Sequence, residues 1–166
     1  MIFATVGTQL PFDRMIAALD VWAGKQPDRE VFAQVGPGRF SPRHIEYRRF
    51  ISPRECRARM VAANAIVAHA GMGTILTALE IGKPLVVVPR RASLGEHRNE
   101  HQLATARRFA DTGRVLVAFD ESELADRLDE LRFRGRPDRI SPFASDELIT
   151  ALRSFIDGDD GTPLAA

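Results

Sequence analysis

Residues 65–89 leave little choice of fold. Ala65-Ile66-Val67-Ala68 is an unbroken apolar run, the pattern of a short strand covered on both faces. His69-Ala70-Gly71-Met72-Gly73-Thr74 follows, and its two glycines predict a sharp turn. A helix is expected over residues 74–81, stopped at Gly82, and Leu85-Val86-Val87-Val88 is a second buried strand ended by Pro89. A glycine turn that feeds a helix N-terminus presents unpaired N–H groups and positive dipole to whatever lies above it. That is a place for an anion, most often a phosphate.

The rest of the chain repeats this alternation. Residues 2–6 and 31–35 read as strands, and 44–50 as a short third segment. Phe12, Met15, Ile16, Leu19 and Trp22 recur at helical spacing, predicting a helix over residues 11–23 with Thr8 or Asp13 as its cap. Pro53 opens a helix that runs to residue 64. Helices are expected over 99–111, 121–131 and 145–156, with a last strand at 115–118. Alternating strands and helices mean an α/β, Rossmann-like, doubly wound parallel sheet, whose ligands bind beyond the carboxyl ends of the strands. Gly7-Thr8-Gln9, Gly36-Pro37-Gly38, the His69–Thr74 turn and the loop after Pro89 all fall at that edge. One domain is expected over residues 1–156, with 157–166 as a frayed tail.

Charge narrows the partner classes. Lys and Arg number 23 against 22 Asp and Glu, so no field for nucleic acid is expected. Of two local basic excesses one is dense: Arg43, Arg48, Arg49, Arg54, Arg57 and Arg59 crowd into 17 residues, while the basic stretch 132–141 reads as a loop. The dense one is either a solvated face or a surface for anionic lipid or an acidic partner. Cys56 is the only cysteine, so no disulfide forms within the chain. With no histidine close in sequence it is a poor candidate for a catalytic thiol. No basic n-region precedes the first apolar run and no apolar run nears ~18 residues, so neither a signal peptide nor a membrane span is expected.

Gly71-Met72-Gly73-Thr74 is not a Walker A loop, because no lysine follows, and it lacks the third glycine of the dinucleotide fingerprint. It packs a strand against a helix or cradles a phosphate. Gly7-Thr8 is a second such turn, where Thr8 offers a hydroxyl and an N–H. Residues 95–102, Gly-Glu-His-Arg-Asn-Glu-His-Gln, form a polar helix start. His97 and His101 stand four apart, yet no HExxH pattern is present, so no metal site is expected.

In this order and spacing the motifs resemble the C-terminal, donor-binding domain of glycosyltransferase family 28, half of a GT-B fold. The chain is most similar to the short stand-alone Alg13/PssE-like subunits. The resemblance rests on Val6-Gly7-Thr8-Gln9 with Phe12-Asp13, on residues 69–74, on Leu79 to Pro84, on Val86-Val87-Val88-Pro89 and on His101-Gln102-Leu103-Ala104. It implies a UDP-sugar donor and no cofactor or metal. Phe50 and Ile51 match the segment whose backbone recognises uracil. Gly71, Met72, Gly73 and Thr74 match the diphosphate turn, which Gly7, Thr8 and Gln9 face. His101 and Gln102 match a polar pair near the donor sugar. Where relatives place a ribose-binding glutamate this chain has Thr77, with Glu80 nearby. The resemblance further implies a cytoplasmic chain, held at the membrane by an Alg14/PssD-like anchored subunit that brings a lipid-linked sugar acceptor and the general base. The final helix, with Leu148, Leu152, Phe155 and Ile156 on one stripe, is the docking element in such proteins. Catalytic residues are unassigned, with His69 and His97 as acid/base candidates. The alternatives are a UDP-sugar-binding or assembly module without catalysis, and a sugar-nucleotide epimerase, which needs a second complete domain.

Overall fold

The computed structural model describes residues 1–131 and 133–157. Six parallel strands form one sheet: β1 (Ile2–Thr5), β2 (Val31–Gln34), β3 (Glu46–Arg48), β4 (Ala65–His69), β5 (Leu85–Val88) and β6 (Leu116–Val117). Their order is β3-β2-β1-β4-β5-β6, which is the Rossmann order. The sheet grows outward in both directions from the β1/β4 pair, and a crevice opens there because the chain leaves those neighbours towards opposite edges.

Helices α1 (Asp13–Gly24) and α5 (Leu124–Leu131) cover one face, and their buried side chains join Val6, Ala33, Val67 and Val86 in one core cluster. Helices α2 (Pro53–Ala62), α3 (Met72–Glu80) and α4 (His101–Asp111) cover the other, with Met60, Ile75, Leu79 and Ala106 packed on Phe3, Ile66, Leu85 and Val87. Burial on both faces explains why the central strands read as unbroken apolar runs rather than alternating ones. The edge strand β3 is exposed throughout. Helix α6 (Asp146–Asp157) closes the described chain, and none of its residues is buried. The expected tail, beyond Asp157, lies outside the described residues.

Sequence expectations hold for the order of strands and helices and err at the caps. Helix α1 begins after Phe12 without a side-chain cap. Thr8 is exposed, and the Asp13 carboxylate instead accepts the Arg39 N–H at 2.9 Å. Helix α3 begins at Met72, two residues before the expected Thr74, so Gly73 belongs to its first turn. An unforeseen carboxylate, Asp20, is buried towards the end of α1 and accepts the backbone N–H groups of Arg43 and His44 at 2.7–3.1 Å. It fixes the entry into β3.

Helix α2 shows what a capped start looks like. The Ser52 hydroxyl accepts the Glu55 N–H at 3.1 Å, and Pro53 occupies the first turn. Removing that acceptor leaves an N–H orphaned. Ser52→Ala should therefore cost about 1 kcal/mol of stability, measured as a lower urea midpoint at unchanged slope.

Candidate functional site: an uncapped helix above a buried arginine

At the carboxyl end of the β1/β4 pair lies a cleft of about 300 Å³. Its walls are Gly7, Thr8, Gln9 and Leu10 after β1; His69, Gly71, Gly73 and Thr74 between β4 and α3; and Arg90, His97 and Gln102 beyond β5. Three sequence segments far apart in the chain meet here, as parallel strands require.

The first wall is built from beneath. Gly7 has φ +76°, a conformation that favours glycine. The buried Thr5 hydroxyl accepts the Gly7 N–H at 3.1 Å and donates to Gln34 Oε1 at 3.0 Å, while Gln34 Nε2 donates to the Gly7 carbonyl at 3.3 Å.

The His69 ring fills the space between the two glycine turns. A Cβ on Gly7 would meet His69 Cε1 at 2.9 Å, and one on Gly71 would overlap Nε2. Gly71 has an ordinary φ of −89°, so closeness to the imidazole, not backbone shape, selects glycine there. Nδ1 of the ring is buried and makes no well-formed hydrogen bond. Burial, the nearby Arg90 guanidinium and His97 push the His69 pKa down to about 4, against a smaller opposing pull from the Thr5 backbone. The imidazole is therefore neutral at pH 7.

The third wall is pinned by charge. Arg14 grips Glu96 in a two-pronged ion pair, Nε to Oε1 and Nη2 to Oε2 both at 2.9 Å, and reaches Glu121 at 2.7 Å. Burial opposes the charge on Arg14, but these carboxylates raise its pKa above the ordinary value. Glu96 also accepts the Arg91 N–H at 3.0 Å, which folds residues 91–96 back on themselves. Beside this pair, Arg90 is only 3% exposed. Its Nη2 donates to the carbonyls of Val6 at 2.8 Å and Leu10 at 2.6 Å, its guanidinium lies 5.0 Å from the Phe12 ring centre, and its Nε is buried without a partner. Burial lowers the Arg90 pKa, with partial relief from Glu96.

The electrostatic sum is one-sided. No carboxylate lines the cleft. Helix α3 begins directly after Gly71 with no side-chain cap and no acidic residue in its first turn, so its leading N–H groups face the cleft uncompensated. Arg90 adds a full positive charge, since arginine stays protonated in proteins. Gly73 has nothing within 4 Å of a notional Cβ, which leaves room directly at the helix start. The chemistry of such a site suits an anion.

Not every expected site residue lines this cleft. Gly7, Thr8, Gln9, His69, Gly71, Gly73, Thr74, His97 and Gln102 do. Gln102 also has a structural task, accepting the Arg90 N–H through Oε1 at 3.1 Å. Met72 is exposed, and His101 is exposed with its N–H on Asn99 Oδ1 at 3.2 Å. Thr77 sits one turn further along α3, donating its hydroxyl to the Gly73 carbonyl at 2.8 Å, and Glu80 is the last residue of the helix, roughly 12 Å from its start. Phe50 and Ile51 follow the edge strand β3, two strands away from the crevice. Cys56 is half-buried and burial raises its pKa, which works against a reactive thiolate. Sequence reasoning missed Arg90, Thr5 and Gln34. The only signal was a polar residue at or just beyond the end of an apolar strand.

A sequence profile of the glycosyltransferase family 28 C-terminal domain matches residues 1–139. The chain belongs to that family. Comparison with curated proteins finds no match. Among solved structures, the glycosyltransferase of kitacinnamycin is similar at 22% identity over 79% of this chain and 34% of that one, with a TM-score of 0.57. The Streptomyces sp. SF2575 glycosyltransferase SsfS6, complexed with thymidine diphosphate, is similar at 23% identity over 81% and 33%, with a TM-score of 0.54. ALG13 is similar at 16% identity, but over 91% of this chain and 93% of its own, with a TM-score of 0.58. These likenesses show the fold. The chain spans about a third of the first two glycosyltransferases and nearly all of ALG13. Among the described residues no helix is long and apolar enough to cross a membrane, and no group of three or more His, Cys, Asp and Glu could hold a metal ion.

Two outcomes test the His69 geometry in this domain of the family. Between pH 6.5 and about 4 the unfolded chain takes up a proton that the folded His69 refuses, so this group's contribution is intact above pH 6.5 and is lost as pH falls towards 4. Urea unfolding should show stability falling by up to about 1.4 kcal/mol per pH unit across that window, and His69→Gln should flatten the fall. Gly71→Ala should cost about 1–3 kcal/mol by overpacking the ring. In a His69→Ala background most of that cost should vanish, a coupling that a double-mutant cycle reads directly.

Proposed function

We propose that the chain is the donor-binding subunit of a glycosyltransferase that moves a sugar from a UDP-sugar to a lipid-linked acceptor in exopolysaccharide or other surface glycan synthesis. The observation that carries this reading is the cleft's uncompensated positive charge: Arg90 and the open start of α3, with no carboxylate among the lining residues. A diphosphate is the anion whose charge and size fit two glycine turns facing each other. Thymidine diphosphate in the similar SsfS6 supports a nucleoside diphosphate here.

The chemistry follows from charge. The acceptor oxygen forms a bond to the anomeric carbon as the bond to the diphosphate breaks. Negative charge gathers on the departing UDP, where the α3 N–H groups and Arg90 stabilise it. A metal has no required part in this scheme. The acceptor hydroxyl must lose its proton to a base. Inside the cleft, His69 with a pKa near 4 is too weak for that task at neutral pH. On this reading the acceptor, and with it the base, comes from an Alg14/PssD-like membrane-anchored partner, and the chain works at the cytoplasmic membrane only in that complex. Helix α6 supports the same division. Leu148, Leu152, Phe155 and Ile156 are each at least half exposed, and no residue of α6 is buried.

The test is calorimetric titration of UDP into the full chain. UDP should bind, and Gly73→Asp should lower its affinity at least tenfold. The new side chain has open space around Gly73, and a carboxylate at a helix start does not destabilise the helix. It would stand where the diphosphate binds. Absence of UDP binding, or unchanged affinity in a folded Gly73→Asp variant, overturns the reading.

A further inference from the structure

The edge of the sheet carries a second concentration of positive charge, away from the cleft. Arg48 and Arg49 end and follow β3, and Arg54 and Arg57 lie in the first two turns of α2. All four are exposed, and none makes an ion pair among the described residues. Phe50 stands between them and is 52% exposed, with Tyr47 38% exposed on β3. Arg59, by contrast, is committed: it pairs with Glu55 at 2.9 Å and covers the Phe32 ring.

Charge on an edge strand has a simple use, since it discourages pairing with another chain. That accounts for Glu46 and Arg48. It does not account for Arg54, which sits in the first turn of α2 where a cation costs stability, or for Arg57 in the second turn. A local rule broken with no compensating contact marks a functional surface. The whole chain carries a net charge of +1, yet residues 43–59 hold six arginines against Glu46 and Glu55. The remainder is therefore net negative, and this stretch is a concentrated positive corner on it.

We propose that Arg48, Arg49, Arg54 and Arg57 seat the chain on an anionic lipid bilayer, with Phe50 entering the headgroup layer. The four cations meet anionic headgroups, and an exposed aromatic ring among them is at home at a bilayer interface. The strands are parallel, so the segment after β3 and the start of α2 lie at the same sheet edge as Gly7 and His69. Seated this way, the carboxyl edge and its cleft are held at the membrane rather than turned from it. The inference does not depend on which nucleotide fills the cleft.

Co-sedimentation of the full chain with phosphatidylcholine vesicles, with and without phosphatidylglycerol, tests it. Binding should require phosphatidylglycerol and weaken with added salt. Arg54→Gln/Arg57→Gln should lower partitioning roughly 25-fold, about fivefold for each arginine. Its melting temperature should hold or rise, because a cation leaves the first turn of α2 and neither arginine makes an ion pair among the described residues. Arg107→Gln/Arg108→Gln removes the same charge from exposed positions on α4 and should leave partitioning within about twofold, since charges beyond a Debye length are screened. No binding to phosphatidylglycerol vesicles, equal binding to neutral ones, or equal loss in both variants overturns the proposal. UDP calorimetry on the same variants keeps the outcomes apart, because donor binding should be unchanged whether or not the vesicles are bound.

Discussion

The imidazole of His69 is the wedge on which the cleft depends. It fills the space between Gly7 and Gly71, and each glycine is required because a Cβ would strike the ring. The two turns belong to β1 and β4, the strands from which the sheet grows in opposite directions. A crevice at that place is a consequence of topology. Its floor is a consequence of side chains: the ring holds the turns at one spacing, while Thr5 and Gln34 fix the Gly7 side from below. Burial keeps the imidazole neutral, so it adds volume without adding a charge to the site.

The charge comes from elsewhere. Arg90 is almost fully buried and directs its hydrogen bonds to two backbone carbonyls rather than to a carboxylate. A buried cation without a paired anion is costly. Arg14 shows the ordinary remedy, gripped by Glu96 and Glu121. The contrast separates two roles. Arg14 uses its charge to hold the 90s loop in place, and Arg90 leaves its charge available to the cleft. Helix α3 makes the same choice as Arg90. Its start has no capping side chain, whereas α2 is capped by Ser52. Unused helix donors and a cation hydrogen-bonded only to carbonyls, placed together, suit an anion before any relative is consulted.

The architecture was legible because burial on both sheet faces writes itself as unbroken apolar runs. A stretch such as Leu85-Val86-Val87-Val88 is too short for a buried helix and too β-branched to favour one, so it reads as a strand without ambiguity. The glycine turns were legible for the same reason: each interrupts such a run. Caps were not. Thr8 and Asp13 both have the chemistry to cap α1, and neither does, because a long-range N–H from Arg39 claims the Asp13 carboxylate. Gly73 reads as a turn residue and is helical, since a helix can begin directly after an uncapped glycine. Arg90 was invisible for a deeper reason. Nothing local distinguishes a buried arginine from its exposed neighbours, and its partners Val6 and Leu10 lie 84 and 80 residues earlier. Resemblance supplied Phe50, Ile51, Thr77 and Glu80 as nucleotide contacts, and these stand away from the cleft walls, on the far strand or along α3.

What the cleft lacks is as instructive as what it holds. Its lining sets an uncapped helix start and Arg90 beside His69, whose lowered pKa makes it a weak base. On the proposed reading the chain holds and polarises a leaving group, and proton removal falls to a second wall. In this chain the exposed apolar stripe of α6 and the arginine corner beside β3 are separate surfaces with separate chemistry, one apolar and one cationic. An apolar stripe is satisfied by another protein, and a cationic corner with an exposed phenylalanine by a lipid surface. On the proposed reading both act on the same requirement. A lipid-linked acceptor is confined to the bilayer, so the donor must be brought to it, and a domain gripped at two places has its cleft oriented as well as attached.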